Sequence, residues 1–115
     1  MKIIITDDHA EMRLMIKTII GEFAERTIEC MDGSEVLAAY AENQPDWVIM
    51  DLKMAMTDGI SATRELKAAF PNAKIVIVTD YDDPALRKAA LGAGAFDYVI
   101  KDELLRLREI LKIPS

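Results

Sequence analysis

Five polar residues stand where short apolar runs stop. KIIIT gives way to Asp7 and Asp8, WVIM to Asp51, IVIV to Thr79 and DYVI to Lys101. Carboxylates gathered in one place repel one another and raise at least one pKa unless a cation joins them. A hard divalent ion meets that demand, since magnesium takes oxygen ligands, keeps several waters and uses one or two carboxylates together with phosphate oxygens. Two acidic loops, an open side for phosphate, a hydroxyl and an ammonium describe a site for phosphoryl transfer. The attacking group would be a carboxylate, because no evident base stands by to activate the Thr79 hydroxyl.

That chemistry requires the five residues to meet, and the intervening pattern provides the means. Lys2 to Thr6, Thr27 to Met31, Trp47 to Met50, Lys74 to Thr79 and Phe96 to Ile100 are short, rich in Ile and Val, and bounded by Asp, Gly or Pro, which predicts five buried strands. Between the first two, Met12, Met15, Ile16, Ile19, Ile20 and Phe23 recur at spacings of three and four, predicting a helix from Ala10 to Phe23 with the methionines as core filler. A second helix is expected after Asp32-Gly33, capped by Ser34, with Val36, Leu37, Tyr40 and Ala41 on its inner face and its end before Pro45. Asp58 opens a third, with Ile60, Thr63, Leu66 and Phe70 inward and Pro71 beyond its end. Asp83-Pro84 announces a fourth, which stops in Gly92-Ala93-Gly94 and has a weak inner face of Leu86, Ala89, Ala90 and Ala93, as a lightly held element would. A last helix runs from Asp102 to Lys112 on Leu104, Leu107 and Leu111.

Strict alternation of strands and helices implies a parallel sheet covered on both faces. The expected fold is α/β, a doubly wound (βα)5 domain with a five-stranded parallel sheet in the flavodoxin-like order 2-1-3-4-5, whose switch point lies between strands 1 and 3. All parallel strands finish on one edge, so the five polar residues fall there. Neighbouring strand residues point to opposite faces, so Asp7 and Asp8 converge only where the chain has turned into the loop.

In these landmarks the chain resembles the receiver domain of bacterial two-component response regulators, whose fold is CheY-like, over essentially all of residues 1–115. The DDH at Asp7 to His9 and the KD at Lys101-Asp102 are most similar to receivers of the NarL, FixJ and LuxR type. The resemblance implies that Asp51 in VIMDLKM is the phosphoacceptor and that Asp8, Asp51 and the backbone carbonyl of Lys53 bind magnesium (Mg2+), with manganese (Mn2+) as a substitute and Asp7 acting through a metal-bound water. It implies that Thr79 is the switch hydroxyl, Lys101 the phosphate-binding lysine and Tyr98 the aromatic that changes rotamer on activation. The donor would be a sensor histidine kinase or phosphotransfer protein. The output would pass through helix 4, strand 5 and helix 5 to an output domain or a second copy, with transcription regulation as one end and no enzymatic turnover beyond the domain's own phosphorylation and dephosphorylation. Two other readings compete: a degenerate receiver that binds partners without phosphorylation, and a magnesium-dependent aspartyl phosphohydrolase, for which DxD would be expected after strand 1 instead of adjacent acids.

Composition narrows the classes further. At 115 residues and 51% hydrophobic content the chain is expected to form a single domain. Its apolar runs fall far short of the roughly 20 residues of a membrane span, and no basic segment leads into a signal-like run, so a cytoplasmic protein without membrane contact is expected. The net charge of −6 argues against direct nucleic-acid contact by this domain. Cys30 alone supports neither a disulfide framework nor a thiol zinc site and reads as a buried thiol. His9 reads as an exposed helix-start residue, Trp47 as packing, and Arg106, Arg108 and Lys112 as a solvated helix face. Two positions depart from the receiver pattern. Ala55 stands where a proline is common, which would loosen the loop. Asp80 stands where a small residue is usual, so its carboxylate would slow phosphorylation by small donors, with Lys53 offsetting the charge.

Overall fold

The computed structural model describes residues 1–54 and 56–113, so the reading of Ala55 lies outside the described residues. Five strands, β1 (Lys2–Thr6), β2 (Arg26–Cys30), β3 (Trp47–Asp51), β4 (Ile75–Thr79) and β5 (Asp97–Ile100), alternate with α1 (Ala10–Ile20), α2 (Val36–Asn43), α3 (Gly59–Ala69), α4 (Pro84–Gly92) and α5 (Arg106–Leu111). They form one sheet in the order β2-β1-β3-β4-β5, with every neighbouring pair parallel. The topology is the flavodoxin-like one expected from the sequence.

Alternation along the strands divides the core in two. Ile4, Val48, Met50, Ile75, Ile77 and Tyr98 pack with Val36, Leu66 and Ala90 from α2, α3 and α4. Ile3, Ile5, Ile49, Val76, Val78 and Val99 pack with Ile16, Ile20, Leu107 and Leu111 from α1 and α5. Because β3 and β4 are buried along their whole length, they read as unbroken apolar runs. Trp47 packs edge-on against Phe96 at 5.0 Å, and Cys30 is a buried thiol whose pKa burial pushes up to about 11.

Several local expectations shift. β2 begins at Arg26, one residue before the expected Thr27, because Arg26 pairs with Lys2. β3 includes Asp51, while β4 and β5 each begin one residue late, at Ile75 and Asp97. Helix α1 stops at Ile20, whose carbonyl takes both the Phe23 and Ala24 amides and so tightens the last turn. Its Met15 is 51% exposed and not core filler. Ser34 does not cap the second helix: Asp32 caps the 3₁₀ turn Gly33–Glu35 that leads into α2, accepting the Ser34 amide at 2.9 Å, and α2 itself starts after Glu35 without a side-chain cap. That turn rotates α2 so that Val36, Ala39 and Tyr40 face inward while Leu37 and Ala41 face solvent. After β5 a 3₁₀ turn, Lys101–Glu103, delays α5 to Arg106, and the Leu107 and Arg108 amides bond to Leu104 and Leu105, one tight turn back. Helices α3 and α4 carry their expected caps, Asp58 on the Ser61 amide and Asp83 on the Ala85 and Leu86 amides. Within α4 only Ala90 is fully buried, in keeping with a lightly held element.

Candidate functional site

The Asp7 amide extends the β1 to β2 ladder by one bond, to the Cys30 carbonyl at 3.1 Å, so Asp7 still belongs to the sheet and is buried. The chain then turns at once. Asp7 Oδ1 accepts the His9 amide at 2.8 Å, and the Arg13 guanidinium donates to the Asp7 carbonyl at 2.7 Å. This turn brings the Asp8 carboxylate, one-third exposed, beside Asp7 despite their adjacency in sequence.

Asp51 closes β3 and is 6% exposed. Its Oδ1 accepts the Leu52 amide at 2.9 Å, and the loop beyond is drawn back by a 2.7 Å bond from the Gly59 amide to the Leu52 carbonyl. Gly59 has to be glycine here, because a Cβ would lie 2.2 Å from the Asp51 carbonyl oxygen. Lys101, just past β5, sets its ammonium 3.6 Å from Asp51 Oδ1, 3.8 Å from Asp7 Oδ2 and 3.8 Å from Asp80 Oδ2. Burial pushes the Asp51 carboxyl up to about 6, the Asp7 charge adds to this and Asp8 adds less, while Lys101 and the Leu52 amide oppose it. An acid in that state, in contact with one cation and facing two other acids, is incompletely compensated.

The donor set fits a hard divalent cation. Asp7 Oδ2 is buried without a hydrogen-bond partner, and Asp7, Asp8 and His9 offer ligand atoms all within 4.8 Å of one another. The tight group includes His9 and not Asp51, which joins the acids through Lys101. His9, expected to be a bystander, has a 74% exposed side chain but brings Nδ1 to 2.9 Å from Asp8 Oδ1 and 3.3 Å from Asp7 Oδ1. Oxygen is the better donor to magnesium, and imidazole suits softer metals.

Thr79 ends β4 with its Oγ1 accepting the Tyr81 amide at 3.2 Å, while the Tyr98 hydroxyl donates to the Tyr81 carbonyl at 2.6 Å. Tyr98 is only 2% exposed, so its ring already occupies the interior. Its pKa is raised, chiefly by burial and then by the Asp83 charge. Lys53 does not offset Asp80: its ammonium sits 4.9 Å over the Tyr81 ring, and the cation that reaches Asp80 is Lys101. The basic residues of α5 and its C-cap are also engaged, Arg106 with Asp97 at 3.0 Å, Arg108 with Glu22 and the Ile19 carbonyl, and the capping Lys112 with Glu109. An open hollow over Lys101 is lined by His9, Glu11, Met12, Met15 and Asp80, which gives the exposed Met15 a place at the mouth of the site.

Among the described residues no helix is long and apolar enough to cross a membrane. Residues 3–112 match the model of the response regulator receiver domain family. The chain is 38% identical to the chemotaxis protein CheY of Thermotoga maritima over 87% of its own length and 84% of that protein. It is also 38% identical to the oxygen regulatory protein NreC of Staphylococcus haemolyticus, over 97% of its own length but 55% of that protein. It thus spans about half of relatives of this longer kind. A LuxR-family two-component response regulator from an Aurantimonas species superimposes with a TM-score of 0.86 at 32% identity, covering 96% of this chain and 84% of that one. Neither the phosphohydrolase nor the phosphorylation-independent module is favoured by these likenesses.

Proposed function

Since the chain belongs to the response regulator receiver family, the signalling phosphoacceptors of two-component systems, we propose that Asp51 is its phosphoacceptor and that a partner's phosphohistidine is the donor. The observation that carries this assignment is the single ammonium of Lys101, which lies within 3.8 Å of the buried carboxylates of both Asp51 and Asp7. Asp51 Oδ1 is taken by the Leu52 amide, leaving Oδ2 to attack phosphorus. The new O–P bond forms as the P–N bond breaks, and its electron pair stays on the donor imidazole. Lys101 turns from its carboxylate partners to the phosphoryl oxygens in a charge-assisted contact. Asp8, Asp51 and the Lys53 carbonyl would hold magnesium, with Asp7 acting through a water, and the ion would supply charge compensation for the phosphoryl oxygens. Positioning and electrostatics account for most of the acceleration.

Thr79 and Tyr98 are read as the switch. The Thr79 hydroxyl, which accepts the Tyr81 amide, is free to donate its O–H to a phosphoryl oxygen; a shift of Thr79 toward that oxygen draws on the Tyr81 amide and moves the Tyr81 carbonyl on which the Tyr98 hydroxyl rests. Tyr98 is in turn tied to α4 and α5, since Arg87 donates to its carbonyl at 3.0 Å and Arg106 at 3.5 Å. The signal would therefore leave as a population shift over α4, β5 and α5, toward an output domain or a second copy. No released product is required, so the domain acts as a signalling component of the cytoplasm and not as an enzyme.

Intact mass after incubation with magnesium and acetyl phosphate tests the assignment. One phosphoryl adduct is expected on the wild type and none on Asp51→Asn. An adduct that survives in the variant removes Asp51 from the role. Asp80 supplies a second test, because it holds Lys101 from the solvent side while 74% exposed. Asp80→Ala is expected to raise the rate of adduct formation about two- to fivefold, the scale of a surface ion pair, and Asp80→Asn to do nearly the same because charge is the cause. Equal rates in wild type and both variants would show that Asp80 does not retard the reaction.

A further inference from the structure

One buried carboxylate has no part in the chemistry above. Asp32 is 7% exposed in the turn after β2. Its oxygens accept the Ser34 amide at 2.9 Å, the Met56 amide at 2.9 Å and the Thr57 amide at 3.2 and 3.3 Å. Two of these three amides belong to a different loop, the one that leads from Asp51 to α3. The adjoining Gly33 allows the two loops to close: a Cβ there would meet the Thr57 carbonyl oxygen at 2.9 Å and the Ala62 Cβ at 2.8 Å. Amides donated to Asp32 hold its carboxyl down to about 2 against the cost of burial, so the acceptor stays ionised at any working pH.

The tethered loop carries Lys53, and its other end is already fixed by the bonds of Leu52 to Asp51 and of Gly59 to Leu52. Among the described residues, Asp32 alone accepts the Met56 and Thr57 amides. We infer that Asp32 is a positioning residue for the metal seat, holding the Lys53 carbonyl in register with Asp51 through the Met56 and Thr57 amides. The inference rests on the magnesium reading of the site. Removing a partner that orients a ligand typically weakens metal binding about tenfold or more.

Two measurements on the metal-free chain test this. Hydrogen exchange of the Lys53, Met54, Met56 and Thr57 amides is expected to quicken in Asp32→Ala, and calorimetric titration with magnesium chloride should give a Kd raised about tenfold. Asp32→Asn keeps the size but loses one acceptor oxygen, and should fall between the two. Asp83→Ala, which frees two amides at the start of α4, controls for general loss of stability and should leave the Kd within about twofold, since it touches neither loop. An unchanged Kd in Asp32→Asn, with or without faster exchange, overturns the inference, as does an equal weakening in Asp83→Ala. Should the wild type itself take up no magnesium, the metal reading fails instead. The exchange result then decides alone whether Asp32 orders this loop.

Discussion

Asp51→Asn is expected to make the metal-free protein more stable at pH 8, by about 3 kcal/mol. The Asp51 carboxyl is raised from 3.8 to about 6, and every tenfold increase in proton affinity corresponds to roughly 1.4 kcal/mol of preference for the neutral form in the folded state. Between these two values the folded chain binds more protons than the unfolded one, so its stability falls as pH rises through the window. Above about pH 6 the wild type carries the whole cost of a buried carboxylate facing Asp7 and Asp8. Asparagine removes that charge while preserving shape and an oxygen for the Leu52 amide. The gain should therefore shrink as pH falls through 6 and vanish near the unfolded value. Urea unfolding in EDTA at a series of pH values measures it. A variant no more stable than wild type at pH 8 would mean that Lys101 already compensates Asp51 in full. Magnesium should narrow the gap by stabilising the wild type, since a ligand that binds only the folded state adds to its stability.

That strain was legible in outline from the sequence, because a strand end is fixed by periodicity. Asp51 closes an otherwise apolar β3, Thr79 closes an otherwise apolar β4 and Lys101 follows the short β5, and parallel topology leaves one edge on which to gather them. What lies beyond a strand end follows other rules. The His9 ring settles on Asp7 and Asp8 because of a turn set by the His9 amide. The partner of Asp80 is Lys101 and not Lys53 because Lys53 has gone to the Tyr81 ring. Both outcomes depend on loop backbone, which carries no period. The misplaced cap at Ser34 belongs to the same class: Ser and Asp are equally good caps, and only the approach of the Met56 and Thr57 amides selects Asp32. Met15 and Leu37 depart from expectation for another reason. A helical stripe fixes the inner face only to within about one residue's rotation, and a short helix led in by a 3₁₀ turn, as α2 is, can start at a different phase.

Lys101→Met is expected to separate the two jobs that share this site. The Lys101 side chain is 14% exposed and its ammonium touches three acids, one of which, Asp7, is buried with an oxygen that has no hydrogen bond. Methionine keeps the apolar stem and deletes the charge, so the metal-free variant should lose about 3 kcal/mol at pH 8, the scale for stripping one partner from a buried ion pair. Because Lys101 holds the Asp51 carboxyl down, its loss lets Asp51 take up a proton at higher pH, and mild acid should restore part of the stability. Magnesium binding should not weaken, since a competing cation has been removed from the same carboxylates. Adduct formation from acetyl phosphate, in contrast, should slow about 100-fold or more, the scale for losing a positioned charge on a developing phosphoryl group. Titration calorimetry and timed intact mass on one preparation provide both readouts. Parallel losses of metal affinity and rate would make Lys101 part of the framework and leave the phosphoryl oxygens to the metal. Divergent results, with intact affinity and a collapsed rate, would place it on the phosphoryl group. In Asp51→Asn combined with Lys101→Met, the stability cost of losing the lysine should shrink by about 1 kcal/mol or more, because residues in contact are not additive and one of the charges it served is already gone.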